Sequence, residues 1–210
     1  LRNVPIFTDL SDSDLTKIST KMVSREYEKG QIILLEESMG ETFFIITRGT
    51  VKVTRLSDDG REVILAMLGE SDFFGEMSLL DGEGRSANIV ANENAEVMTL
   101  SRRDFLECLE SYPKIAIALL EELAVRLRKS DQQIESLSLS DSEQRIGITL
   151  IRLAEERGTI KRGNVIVHNL PFQQDIANMA GTSRETVSRT LKLLEDKKIG
   201  QTGWKRYYNL

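Results

Sequence analysis

Phe172-Gln173-Gln174-Asp175-Ile176-Ala177-Asn178-Met179-Ala180-Gly181-Thr182-Ser183-Arg184-Glu185-Thr186-Val187-Ser188-Arg189-Thr190-Leu191 decides the C-terminal part of this chain. The stretch predicts two short helices meeting at a tight turn. Ala177 is small where a second helix must cross the first, Gly181 stands where the backbone must turn through left-handed space, and Val187 is an apolar anchor. In the second helix Val187, Leu191 and Leu194 recur at i, i+4 and i+7 and should face a core, while Arg184, Glu185, Ser188 and Arg189 share the opposite face. That open face suits the edges of bases in a major groove. Arginine donates in bidentate fashion to guanine and glutamate accepts from cytosine, each good contact discriminating by about 1–3 kcal/mol. A simpler reading is a capping box from Thr182 to Glu185 and a surface pair from Glu185 to Arg189. It leaves the two arginines and the Ala177–Gly181 spacing unexplained.

Downstream, residues 200–208 read as a two-stranded wing, with Lys205 and Arg206 set for phosphates and Trp204 either beside them or packed beneath. Upstream come a short hairpin around Val165-Ile166-Val167 and an amphipathic helix over 145–157 that ends at Gly158. Before that helix, Ser136-Leu137-Ser138-Leu139-Ser140-Asp141-Ser142 is a serine-rich candidate hinge. The charge changes sign close to it: residues 1–140 carry a net charge of -9 and residues 141–210 a net of +4. An acidic body followed by a basic module is the distribution expected of a nucleic-acid-binding unit joined to one that does not bind, with an ordinary solvated surface of chance asymmetry as the alternative. The boundary is therefore expected at 138/139.

Ahead of the hinge lies a long helix whose seam runs Ala116, Leu120, Leu123, Leu127, Ser130, Ile134, Leu137, in alternating steps of four and three. That heptad pattern predicts pairing with a second copy through residues 113–138, with burial against the chain's own body as the alternative. Ser130 is polar where the seam calls for an apolar side chain. A further helix, over 103–110, is cut off by Pro113.

The first hundred residues have another rhythm. Gly30, Gly40, Gly49, Gly60, Gly69 and Gly75 separate short runs of strand formers, among them Ile32-Ile33-Leu34, Phe43-Phe44-Ile45-Ile46, Val51-Lys52-Val53, Val63-Ile64-Leu65, Ile89-Val90 and Val97-Met98-Thr99-Leu100. Such spacing predicts an antiparallel sandwich or barrel, with a hairpin turn at Asp58-Asp59-Gly60 and a helix over 13–21 capped by Ser11 or Ser13.

Composition narrows the chemistry. A single cysteine, Cys108, and a single histidine, His168, leave no disulfide framework, no cysteine-rich metal site and few parts for nucleophilic catalysis, so an enzyme is not expected. No apolar run reaches 18 residues and the start lacks a signal layout, so a cytoplasmic chain without membrane partners is expected. One motif still suggests a small-molecule site: Phe74-Gly75-Glu76-Met77-Ser78-Leu79 followed by Arg85-Ser86-Ala87. A glycine lets backbone approach a ligand, a carboxylate accepts from sugar hydroxyls, and an arginine beside a hydroxyl holds a phosphate. A plain Glu76–Arg85 salt bridge is the alternative.

Together, the segment from Gly40-Glu41 to Gly49, the spacing from Phe74-Gly75-Glu76 to Arg85-Ser86-Ala87, and Thr182-Ser183-Arg184-Glu185-Thr186-Val187-Ser188-Arg189 resemble the bacterial cyclic AMP receptor protein family of transcription regulators, over essentially the whole chain. The resemblance implies an α+β chain: an N-terminal antiparallel jelly roll that binds effector (1–110), a dimerisation helix and hinge (111–138), and a C-terminal winged helix-turn-helix (139–210). It implies Gly75 and Glu76 at a ribose and Arg85 and Ser86 at a cyclic phosphate, with Met77, Ser78 and Ala87 lining the same site and Ser130 at an adenine. Asp131 stands where cyclic-AMP-responsive members have a serine reaching the partner's nucleotide. A carboxylate there keeps open a regulator of this architecture that answers another molecule or none. A cyclic-nucleotide-binding regulatory subunit acting on a protein is the remaining alternative.

The resemblance further implies that Gln173, Thr182, Ser183, Arg184, Glu185, Thr186, Ser188, Arg189, Lys192 and Lys205 lie at DNA, on a palindrome with TGTGA-like half-sites. It implies cyclic AMP as effector with no tightly bound cofactor or metal, and RNA polymerase as a partner touched through 157–165 and 57–62.

Overall fold

The computed structural model describes residues 1–161, 164–167 and 170–197, and falls into two compact units, 1–130 and 131–210. The wing expected over 200–208, with Trp204, Lys205 and Arg206, and His168 lie outside the described residues.

In the first unit, a 3-10 turn (Pro5–Phe7) and helix α1 (Asp12–Ser19) precede strands β1 (Val23–Tyr27), β2 (Ile32–Leu34), β3 (Thr42–Arg48), β4 (Val51–Leu56), β5 (Glu62–Leu68) and β6 (Phe73–Phe74). Then come α2 (Met77–Asp81), β7 (Asn88–Ala91), β8 (Ala95–Ser101), α3 (Arg102–Ser111) and the long α4 (Pro113–Leu139), which continues into the second unit. The strands form two four-stranded antiparallel sheets, in the orders β1-β8-β3-β6 and β2-β7-β4-β5. They face each other in the expected jelly roll.

Phe43-Phe44-Ile45-Ile46 explains how the roll is built. All four residues are buried, because β3 is covered on both faces. Phe44 and Ile46 join Val51, Phe74, Ile89 and Val97 between the sheets. Phe43 and Ile45 point the other way, into a second core with Ile18 of α1, Phe105 of α3 and Ile115 and Leu119 of α4. Phe43 stacks on Phe105 at 4.5 Å between centroids and meets Phe73 at 5.5 Å. The helices are thus structural members of the roll, not attachments to it.

The helix ends follow local chemistry. Ser11 caps α1 by accepting from the Asp14 N–H at 3.2 Å, and Ser101 caps α3 by accepting from the Asp104 N–H at 3.1 Å. Two strands lacked a sequence signal: β1, Val-Ser-Arg-Glu-Tyr, is mostly exposed, and β6 is two residues long. Both are held by pairing, β1 to β8 and β6 to β3.

In the second unit the serine-rich stretch is mostly helical. The last turn of α4 occupies it through Leu139, and only Ser140 and Asp141 separate α4 from α5 (Ser142–Arg157). Asp141 caps α5 in a reciprocal capping box with Gln144. The two units meet at 130/131, inside α4 and ahead of the boundary expected from composition. Strands β9 (Gly158–Lys161) and β10 (Asn164–Val167) form a hairpin, and α6 (Gln173–Ala180) and α7 (Arg184–Asp196) complete the unit around Ile146, Leu153, Ile176, Ala177, Ala180, Val187 and Leu191. No described helix is long and apolar enough to cross a membrane.

Phe43 is fully buried between two aromatic rings, so Phe43→Ala should cost about 3–5 kcal/mol of stability, measured as a lowered urea midpoint at unchanged slope.

Candidate functional site

The ligand motif is placed by the ends of rigid elements. Gly75 and Glu76 follow β6 directly, Met77 and Ser78 begin α2, and Arg85-Ser86-Ala87 lead into β7. Gly75 sits at φ 84°, and a Cβ there would come within 2.7 Å of Arg85 Nη1, so only glycine permits this approach. Arg85 is buried, its Nη1 donating to the Gly75 carbonyl at 2.7 Å and its Nη2 to the Thr42 carbonyl at 2.8 Å. A Cβ on Gly40 would collide with Ser78 Oγ and lie 2.7 Å from Arg85 Cζ. Gly75, Ser78 and Arg85 therefore surround one cradle, with Ala87 buried beside them and Met77 and Ser86 exposed at its edge.

Glu76 does not form the expected alternative salt bridge with Arg85. Its Oε1 accepts from Arg126 Nη1 of α4 at 3.2 Å, and Arg126 also donates Nη2 to the Phe73 carbonyl at 2.9 Å and stacks over the Phe73 ring at 4.5 Å. Arg126 is the site residue that sequence reasoning missed. The available signal was its place one turn before Ser130, whose hydroxyl donates to the Arg126 carbonyl at 3.1 Å. Ser130 and Asp131 are both exposed on α4.

Glu76 Oε2, Ser78 Oγ and Arg85 Nε are buried without hydrogen-bond partners. A buried polar atom left unpaired costs about 1–3 kcal/mol, so three in one cradle mark a place arranged for a polar ligand. The donor set fits a molecule that has both hydroxyl donors and an anionic group: a carboxylate acceptor, a hydroxyl and a guanidinium donor. Burial pushes the Glu76 carboxyl above the usual carboxylate range, opposed chiefly by Arg126, and burial lowers the Arg85 guanidinium against the pull of Glu76 and Glu41.

The second candidate site is the face of α7. Gly181 ends α6 in left-handed backbone at φ 59°, ψ 48°, and the Thr182 N–H bonds the Ala177 carbonyl at 3.0 Å, which makes the turn. The cap of α7 is Ser183, accepting from the Thr186 N–H at 3.2 Å, so the capping box from Thr182 to Glu185 does not form. Val187, Thr190 and Leu191 are buried, whereas Ser183, Arg184, Glu185, Ser188, Arg189 and Lys192 are exposed and Gln173, Thr182 and Thr186 half-buried. Bonds from its own backbone N–H and from Ser183 hold the Glu185 carboxyl below its usual range, leaving an ionised acceptor on this face.

Residues 24–112 match the cyclic nucleotide-binding domain family and residues 144–208 the Crp-like helix-turn-helix domain family. The chain is 32% identical over 203 residues to the "Cyclic AMP receptor protein" of Thermus thermophilus, covering 97% of this chain and 91% of that protein. It is likewise similar to the solved Thermus thermophilus Catabolite Activator Protein, at 32% identity and a TM-score of 0.59, covering 95% of this chain and 90% of that one. The c-di-GMP responsive global regulator CLP of Xanthomonas campestris shares the fold, with 22% identity and a TM-score of 0.72 over 89% of this chain and 93% of that one.

A roll of the cyclic nucleotide-binding domain family in one chain with a Crp-like helix-turn-helix defines a class of DNA-binding transcription regulators. Within that class, the chain belongs to the cyclic AMP receptor protein family of transcription regulators.

Because the folded-state pKa of Glu76 is raised, its ionisation lowers stability; the cost is absent below the unfolded value and fully present above the folded one. The melting midpoint of Glu76→Gln should therefore rise relative to the parent's as the pH is raised from 4 to 8, whatever the fixed cost of losing the Arg126 pair. Thermal melts of unliganded protein across that range measure it, and a midpoint difference that stays constant with pH would mean that burial does not raise the Glu76 carboxyl.

Proposed function

We propose that this chain is a homodimeric, sequence-specific DNA-binding regulator whose roll binds a cyclic nucleotide, cyclic AMP by preference. The observation that carries the ligand reading is the set of unpaired atoms in the cradle, Glu76 Oε2, Ser78 Oγ and Arg85 Nε. Glu76, beside Gly75, serves as acceptor for sugar hydroxyls, and Arg85, with Ser86 and Ser78, holds the phosphate; Ser130 and Arg126 meet the ligand from α4. In the paired dimer, Asp131 faces the partner's ligand. As a carboxylate it favours a second reading, a non-cAMP effector in the same cradle.

Dimerisation is supported by the seam of α4, where Leu120 is 66% exposed, Leu127 63%, Ile134 62% and Leu137 58% in the single chain. An apolar row at heptad spacing left in water is stabilised by a second copy. Two recognition helices related by a two-fold axis then read a palindrome, with TGTGA-like half-sites. Arg184, Glu185 and Arg189 face base edges; Gln173, Thr182, Ser183, Thr186, Ser188, Lys192 and Lys205 position the backbone. RNA polymerase is the expected protein partner, the chain acts in the cytoplasm, and no catalytic step is part of the reading. Ligand acts by its differential affinity for two arrangements of the dimer, since equal affinity would shift nothing.

Calorimetric titration of the purified protein with cyclic AMP, against cyclic GMP, tests the effector. Saturable binding selective for cyclic AMP is expected, reduced at least about 100-fold in Arg85→Leu by loss of a charge-assisted phosphate contact. No binding of either nucleotide would exclude both. Arg184→Ala should cost about 1–3 kcal/mol and relax preference at one base pair of each half-site; an unchanged base preference in a competition binding assay would remove Arg184 from the reading surface.

A further inference from the structure

Arg145, in the first turn of α5, spends its guanidinium on three backbone carbonyls. Nη1 donates to Ser140 at 2.9 Å, Nε to Ala180 at 2.8 Å and Nη2 to Gly181 at 3.1 Å. Ser140 immediately follows α4, and its own N–H bonds the Ser136 carbonyl in the last turn of that helix at 3.0 Å. Ala180 ends α6 and Gly181 is its left-handed cap. One planar cation therefore ties the end of α4 to the turn of the helix-turn-helix.

Two further features stiffen the tie. Asp141 and Gln144 cap each other at 2.8 and 3.0 Å, which leaves the link between Ser140 and Arg145 little freedom. A Cβ on Gly181 would stand 3.3 Å from Leu137 Cδ2, so the last turn of α4 rests on the same turn by packing as well as through the arginine. The turn leads through Thr182 directly to Ser183, the cap of α7. Carbonyls at helix C-termini carry partial negative charge, and only the guanidinium fork offers several coplanar donors to such a group of acceptors.

We propose that Arg145 is a positioning residue for DNA reading. It fixes the turn ahead of α7 to the end of α4, so that the pairing of the two α4 helices sets the separation and angle of the two recognition helices. The bound donors are turned inward to carbonyls of the chain, and Arg145 takes no part in reading bases. This inference rests on the DNA-reading dimer proposed above.

The test uses the full-length dimer and an operator selected by the parent protein from random DNA, together with versions carrying one base pair more or fewer between the half-sites. The parent should bind the misspaced operators at least about tenfold more weakly, because half-site spacing mirrors dimer geometry. In Arg145→Ala the spacing penalty should fall below about threefold, with the base preference inside each half-site and the dimer mass retained. Arg145→Gln, which keeps an amide donor but no fork, should fall between the two. A variant that keeps the parent's spacing penalty, or one that weakens all operators by the same factor, would overturn the proposal. A parent that selects no operator would overturn the DNA-reading dimer itself, a result visible before any variant is made.

Discussion

The buried carboxylate of Glu76 constrains the first unit. A carboxylate taken out of water needs a cation and hydrogen bonds, and among the described residues the cation comes from Arg126 on α4. The same guanidinium takes the Phe73 carbonyl and covers the Phe73 ring, so charge, hydrogen bond and packing all seat α4 on the strand that leads into the candidate cradle. Since one oxygen of Glu76 holds this helix and the other has no partner, whatever occupies the free oxygen acts on the carboxylate that anchors α4.

The roll gives that arrangement its rigidity. Strand β3 is buried on both faces, against the second sheet on one side and against α1, α3 and the start of α4 on the other. The candidate site residues occur where such elements end: Gly75 and Glu76 after β6, Arg85 to Ala87 before β7. Short segments with both ends tied into packed strands hold their side chains to tighter tolerances than a free loop would.

Three arginines use one device at places where the chain turns. Arg85 takes the carbonyls of Gly75 and Thr42, Arg126 takes that of Phe73, and Arg145 takes those of Ser140, Ala180 and Gly181. Each guanidinium donates to backbone carbonyls and brings together segments distant in sequence. The device makes the cradle and the helix-turn-helix turn fixed points, and it accounts for arginine where a lysine would keep the charge but lose the planar fork.

The sequence by itself determined the elements whose physics is local. Glycine-spaced apolar runs specified the strands, the period of 3.6 specified the helices, and Ala177, Gly181 and Val187 located the helix-turn-helix because each answers a steric demand within a few residues of itself. The chemistry of the cradle was legible for the same reason, through Gly75, Glu76 and Arg85. Tertiary structure alone decided β1 and β6, which exist by pairing with β8 and β3, and the continuation of α4 through the serine-rich stretch that composition marks as a hinge. It alone decided that Glu76 pairs with Arg126 rather than Arg85, that Ser183 rather than Thr182 caps α7, and that Arg145 spans the turn. The acceptors in these contacts are largely backbone carbonyls, which every residue carries alike and no sequence pattern distinguishes; only the folded chain brings a particular arginine within reach of them.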